Sequence, residues 1–385
     1  MYYRRVGDVP RKRHTLHVVD GAVAEEELVG EEGFSGPSSL LYHRHSPSAL
    51  VRIDPVERSE AALTPNLPVR PHHLRTGDVA PGRDALDGRT TLLGNDDVRL
   101  AVAVATATGP GPLHRYAVGD QVAYVQSGAA VLESVFGRLP VGAGDYVVIP
   151  AGVTHRWSVT DAPLQLFLIE AGSHVTVPGR HLTPTGQLAE GAPFSERDIR
   201  PPEPEPLLVD GEDVAVLVRT RAGWSQHVHR HHPFDVIGWD GCVYPWALSI
   251  HDFEPVVGRI HQPPPVHQTF AGHGFVVCSF VPRLYDFDPH AVKVPYHHAN
   301  VDSDEMLFYS AGDFMSRAGS GIGVGSISVH PAGFTHGPQP GSRERSDGED
   351  RTSELAVMID TFRPVGLTAA ARAVSDRDYP WSWSR

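Results

Sequence analysis

The chain repeats itself. The segment GAGDYVVIPAGVTHRW at 142–157 has a counterpart in GSISVHPAGFTHGP at 325–338. From Gly144, the residues Pro150, Gly152 and His155 follow at offsets of 6, 8 and 11, and from Gly325 the residues Pro331, Gly333 and His336 follow at the same offsets. The match continues upstream. His114, Gln121 and Gly128 are spaced as His298, Glu305 and Gly312 are, each pair lying 184 residues apart, against 181 for the downstream pairs. One loop of different length accounts for that change. Two copies of a unit must each bury a core, so a chain of 385 residues is expected to hold two similar domains.

The segments around the repeats read as strands. LLYHRH, VRLAVAVATA, QVAYVQSG, AAVLES, DYVVIP and LQLFLIEAG are short apolar or alternating runs, set among scattered glycines (38) and prolines (34). Convincing long amphipathic helices are few, so an all-β fold with few short helices is expected. The segment ERDIRPPEPEPLL at 196–208 is rich in proline and acid and reads as a linker. It sets the expected domains at 1–205 and 206–385.

Composition narrows the function. The chain carries 33 basic and 46 acidic residues, a net charge of −13, with no basic block to track phosphates, which argues against nucleic acid as a partner. No apolar run approaches the length of a membrane span. The start, MYYRRVGDVPRKRHT, lacks the apolar stretch of a secretory signal. Cys242 and Cys278 are the two cysteines, too far apart for a short-spaced zinc pair, and a reduced, cytoplasmic setting is expected. The informative excess is 23 histidines. The run HVHRHH at 227–232 reads as a solvated loop.

The doubled pattern resembles the cupin superfamily. Its first motif carries His-x-His, then three or four residues, Glu, six residues and Gly. Its second runs Gly, five residues, Pro-x-Gly, two residues and His. Both second motifs match through the histidine. The first motifs match in spacing, with Asn300 and Tyr116 where the second histidine would stand. The resemblance implies two antiparallel jelly-roll barrels in tandem.

Such barrels turn alternate side chains into a cavity, where a histidine and a carboxylate of one hairpin meet a histidine of a neighbouring strand. In the C-terminal half that set is His298, Glu305 and His336. Two imidazoles and one carboxylate leave positions open on an octahedral metal, the ligand set of non-haem Fe(II) oxygenases. In a regular strand His297 faces away from His298, and Asp302 and Asp304 read as loop or rim carboxylates. The N-terminal half has Gln121 in place of Glu305. Losing the anionic ligand weakens affinity for a hard dication, so this half is expected to be a scaffold without a complete metal site.

A closer resemblance lies in FDVIGWDGCVYPW (234–246), IHQPPPVHQTF (260–270), VPYHHANVDSDE (294–305) and VHPAGFTHGP (329–338). Together these are similar to the homogentisate 1,2-dioxygenase family, and GEEGFSGPSSLLYH at 30–43 extends the similarity toward the N-terminus. The resemblance implies Fe(II) held by His298, Glu305 and His336. It implies His261 as the catalytic acid–base group on a ring hydroxyl, and His330 and Tyr296 as residues at the substrate. A neutral imidazole titrates in the range that such proton transfer needs. The implied partners are a small aromatic substrate and O2, and a homo-oligomer. The sequence departs from the family at two places near the expected pocket. Phe314 stands where a tyrosine is expected, and His267 where an aromatic residue is expected.

The expected activity is ring cleavage of homogentisate to maleylacetoacetate, in tyrosine and phenylalanine catabolism. The alternatives are a related hydroquinone such as gentisate, a zinc or manganese cupin isomerase, and a ligand-binding module without chemistry. Arg283, Lys293 and Arg317 lie near the motifs as candidates for a substrate carboxylate, and sequence alone does not choose among them.

Overall fold

In the computed structural model, which describes residues 1–317 and 319–384, strands dominate and the α-helices are the short Ser342–Arg345 and Ala369–Ala373. Among the described residues no helix is long and apolar enough to cross a membrane. The predicted runs form strands. VRLAVAVA lies in Val98–Ala105, and QVAYVQSG and AAVLES join into one long strand, Gln121–Ser134. DYVVI forms Asp145–Ile149, and LQLFLIEA closes the long strand Thr154–Ala171.

Two main sheets carry the two repeats. A 15-stranded sheet is built on Gln121–Ser134, Asp145–Ile149 and Thr154–Ala171, and a 6-stranded sheet on Asp304–Ala311, Ser326–His330 and Leu355–Thr361. The repeat extends to strand register. Gln121 is the cross-strand partner of Glu170, as Glu305 is of Asp360. His114 is opposite His155, as His298 is opposite His336. The motif glycines have a backbone reason. Gly128 and Gly312 adopt φ of 78° and 87°, and a Cβ on either would meet a carbonyl oxygen of the facing chain, Asp161 at 2.6 Å or Ser353 at 1.9 Å.

The expected division at residue 205 does not coincide with the division between the sheets. The segment read as a linker enters the N-terminal sheet instead, since Ile199–Arg200 pairs with Trp246–Ser249. The hairpin Glu212–Thr220 and Gly223–His231 pairs with His114–Tyr116 and belongs to the same sheet. The HVHRHH run is therefore largely strand, with His229 and His232 buried. The sheets also exchange edges. His72–Arg75 pairs with Ser326–His330 of the C-terminal sheet, while Trp246–Ser249 pairs with Asp145–Ile149 of the N-terminal one. Each copy is completed by the strand that precedes the other. Polar and aromatic contacts close the seam. Tyr124 Oη lies 2.6 Å from Ser310 Oγ, and the Phe167 and Phe308 rings stack at 4.6 Å. Residues of both halves share one buried apolar core.

Candidate metal centre

Three ligand-type side chains converge in the C-terminal sheet. The ligand atoms of His298, Glu305 and His336 all lie within 4.8 Å of one another. Glu305 sits on Asp304–Ala311 with its side chain inward, and the bridge between His298 and His336 brings the two imidazoles beside it. His336 Nε2 is 3.2 Å from Glu305 Oε1, and His298 Nε2 is 3.8 Å from Glu305 Oε2. Ligand bonds of about 2.1 Å allow two donors on one metal to be at most about 4.2 Å apart, so both separations fit.

The hydrogen bonds decide which atoms face the gap. His298 Nδ1 lies 3.0 Å from the Tyr296 carbonyl, and His336 Nδ1 lies 3.0 Å from the Phe334 carbonyl. A carbonyl only accepts, so each Nδ1 donates, and each neutral ring presents a bare Nε2 lone pair toward Glu305. Three acceptors then point at one another, and only a cation satisfies them. Without a metal, protons take that role. His298 is accordingly raised above its ordinary pKa, mainly through its hydrogen bond with Glu305. Burial opposes the ionised form of Glu305, but hydrogen bonds with His298, His330 and His336 hold its carboxyl well below the usual range.

His330 stands beside the candidate ligands, where it can also orient them. It does not line the cavity beside the metal site, and both ring nitrogens are engaged. Nδ1 lies 2.9 Å from Glu305 Oε1, and Nε2 lies 3.0 Å from Tyr379 Oη. Burial lowers its pKa to about 3, so the ring is neutral, donating to Glu305 and accepting from Tyr379. The register explains this placement: His330 is the cross-strand partner of Glu305, which turns it onto the carboxylate. Its ring stacks on His336 at 3.9 Å, and Trp383 packs edge-on against it. This chain Tyr379–His330–Glu305 is the kind of outer support that orients metal ligands. Sequence reasoning missed Tyr379, since nothing in YPWSWS marks it.

A cavity of about 250 Å³ opens beside the triad, lined by His298, Glu305, Asp360, His261, His267 and Arg317 among others. His261 therefore shares the cavity with His298 and Glu305. Its Nδ1 lies 2.8 Å from Asp286 Oδ2, so Nδ1 donates and Nε2 is left as a proton acceptor. Asp286 carried no sequence signal, being 25 residues away in a loop. Tyr296 is half exposed at the rim, its ring edge-on to His261 at 5.4 Å and to His298 at 6.0 Å, and it is not part of the cavity lining. His297 is exposed, Asp302 is exposed, and the Asp304 carboxylate accepts from the Ala332 and Val365 backbone. Phe314 is buried against Tyr309 and does not line the cavity. His267 does line it. Its Nδ1 is buried without a partner, and burial lowers its pKa to about 3.

The matching place in the N-terminal sheet keeps the imidazoles. The His114 and His155 rings lie 4.1 Å apart at 58°, against 4.4 Å and 58° for His298 and His336. Their Nδ1 atoms also face carbonyls two residues back, Pro112 and Val153, and His155 Nε2 is buried without a partner. Gln121 donates to Glu170 Oε1 at 3.2 Å, and the Arg89 guanidinium bonds both Glu170 oxygens, Nε to Oε1 at 2.7 Å. The space left is about 30 Å³.

The cupin domain family matches residues 99–170. A provisionally named dioxygenase of Saccharolobus solfataricus is 38% identical over 385 residues, covering 100% of this chain and 99% of that protein. The homogentisate 1,2-dioxygenase of Bradyrhizobium diazoefficiens is 27% identical over 286 residues, 69% of this chain and 61% of that enzyme. The enzyme of the same name from Caenorhabditis elegans is 26% identical over 393 residues, 93% of this chain and 87% of that enzyme. With its paired motifs, its β architecture and a full-length relative at this identity, the chain is a member of the cupin family, in one group with the S. solfataricus protein.

Proposed function

We propose that the protein is an Fe(II)-dependent ring-cleaving dioxygenase, acting on homogentisate to give maleylacetoacetate. The observation that carries this reading is the His298–Glu305–His336 convergence, with bare imidazole nitrogens facing a carboxylate, on the wall of a cavity large enough for one aromatic ring. The dioxygenase names of the full-length and the more distant relatives support it.

The residues present fit a divalent metal. Bound iron would supply the electron transfer that lets O2 react with a closed-shell ring, with both oxygen atoms entering the product. The protein does the rest. His298, Glu305 and His336 would hold the metal, with His298 and Glu305 on the cavity wall. Tyr379 and His330 fix the Glu305 carboxylate so that it does not reorient during turnover. His261, with Nδ1 held by Asp286, accepts the proton of a ring hydroxyl at Nε2 and returns it after cleavage. Phe280, Leu307 and Met358 line the cavity with apolar surface that seats the ring and excludes water.

The test is anaerobic reconstitution of the purified chain with Fe(II), followed by oxygen uptake with homogentisate and with gentisate. Stoichiometric uptake with homogentisate is expected, and absence of uptake with every hydroquinone tried would refute the oxygenase reading. The polar His267 and the withdrawn Phe314 favour one variant of the reading, in which a related hydroquinone is the better substrate.

A further inference from the structure

The cavity wall holds a cation that the proposed chemistry has not used. Among the described residues Arg317 is the one arginine buried as a whole, 6% exposed. Its Nε donates to Tyr309 Oη at 3.0 Å and one terminal nitrogen donates to the Gly337 carbonyl at 2.8 Å, so both partners are neutral. Its other terminal nitrogen bonds no described residue, and no carboxylate of the described residues lies within 4.0 Å. Of the other well-covered arginines, Arg115 is partly exposed and donates to Thr154 Oγ1 at 2.8 Å, away from this cavity, and three meet a carboxylate. Arg89 bonds Glu170, Arg156 lies 2.7 Å from Glu133, and Arg219 lies 2.8 Å from Glu60. A buried charge is costly unless it is paired, so an unpaired buried guanidinium on a cavity wall calls for an anionic partner from outside the chain.

We propose that Arg317 receives a carboxylate of the substrate, so that the cavity selects a ring bearing an acidic side chain over the same ring without one. The inference rests on the ring-cleaving reading for the reaction, but not for the binding. The guanidinium, fixed through Nε by Tyr309 and through one terminal nitrogen by Gly337, keeps the in-plane N–H donors of its other terminal nitrogen, which suit a carboxylate better than a single hydroxyl. Asp313 and Glu354 also line the cavity, yet neither reaches ion-pair distance of Arg317. Arg283 and Lys293 are weaker candidates. Both line the cavity, but Arg283 lies over the Phe280 ring and Lys293 over the Tyr285 ring, and neither is buried.

The experiment compares homogentisate with methylhydroquinone, which keeps the ring and lacks the carboxylate. Wild type, Arg317→Met and Arg317→Lys are reconstituted with Fe(II) as full chains, and thermal melts establish folding. Arg317→Met should raise KM for homogentisate about 10- to 100-fold, the worth of hydrogen bonds to a charged group. It should leave kcat/KM for methylhydroquinone within about threefold, and Arg317→Lys should keep part of the preference. An anaerobic calorimetric arm uses 2-hydroxyphenylacetate, which keeps the carboxylate, lacks the second ring hydroxyl and meets no O2 there. Binding that weakens in Arg317→Met supports the receptor even if no hydroquinone consumes oxygen, which would sink only the ring-cleaving reading. Equal losses with both hydroquinones, or calorimetric binding unchanged by the substitution, would overturn the proposal. Should Arg317→Met fail to fold, Arg317→Lys decides between the same outcomes.

Discussion

The two sheets place their paired histidines at the same angle and set different carboxylates beside them: Glu305 in the C-terminal copy and, in the N-terminal copy, Glu170, the register counterpart of Asp360. In the N-terminal copy Glu170 is met by Arg89, and Gln121 adds an amide donor. In the C-terminal copy Glu305 is met by three imidazoles and no guanidinium within ion-pair distance. A buried carboxylate needs a cation. The N-terminal copy carries its cation covalently, on a side chain, and has about 30 Å³ of space left. The C-terminal copy has three imidazoles around Glu305 and keeps an open cavity of about 250 Å³. The copies differ at the motif position, Gln121 against Glu305, and at its cross-strand partner, where Glu170 has Arg89 and Asp360 has no guanidinium of the described residues within ion-pair distance.

That contrast breaks most completely when the C-terminal copy is made to resemble the N-terminal one. Glu305→Gln should abolish stoichiometric metal binding and oxygen uptake together, read by metal analysis after anaerobic Fe(II) loading. Next in size is the internal cation. Arg89→Met leaves the fully buried Glu170 unpaired and should destabilise the fold by about 3–5 kcal/mol, measured by denaturant unfolding, with metal content unchanged. Removing the outer support is milder. Tyr379→Phe and His330→Ala should lower metal affinity within the range of about 10- to 100-fold, the alanine variant by more, as read by competition with a chelator.

The smallest effect is one of pH, and its sign differs between the fold, where it runs through His43 on the strand Ser38–His43 of a separate four-stranded sheet, and the candidate metal centre. Burial opposes the charged form of His43, yet Asp235 and Glu27 raise its pKa to about 9. Because the folded value lies above the unfolded one near 6.5, its stabilisation is full below about pH 6.5 and is lost as pH rises through about 9. Metal affinity at His298 and His336 runs the other way, since protons compete for the same nitrogens. Melting curves of the metal-free chain over this window should fall with pH in the wild type and flatten in His43→Gln. The metal-induced rise in melting temperature should grow over the same window.

The ligands are legible in the sequence because a repeat supplies its own control: His298 and Glu305 stand out against His114 and Gln121 at the same spacing. The strand runs are legible from their apolar patterning. What pairs across long distances is not. His72–Arg75 and Trp246–Ser249 are short strands whose place beside the opposite repeat depends on tertiary packing, so a boundary at 205 cuts through one sheet. The family resemblance puts His330 near the iron, but the pairing that sets its ring on Glu305 is a cross-strand contact that the motif does not show. Asp286, Tyr379 and the Arg89–Glu170 pair join residues far apart in the chain, and no local pattern marks them.

The proposed reading gives the C-terminal copy a metal and the N-terminal copy an arginine. Metal stoichiometry of the chelator-stripped chain under anaerobic Fe(II) titration tests this most directly, in the wild type, Glu305→Gln and Gln121→Ala. One tightly bound metal per chain in the wild type and in Gln121→Ala, and none in Glu305→Gln, is the predicted result. Two metals per chain, or one that survives Glu305→Gln, would contradict the account.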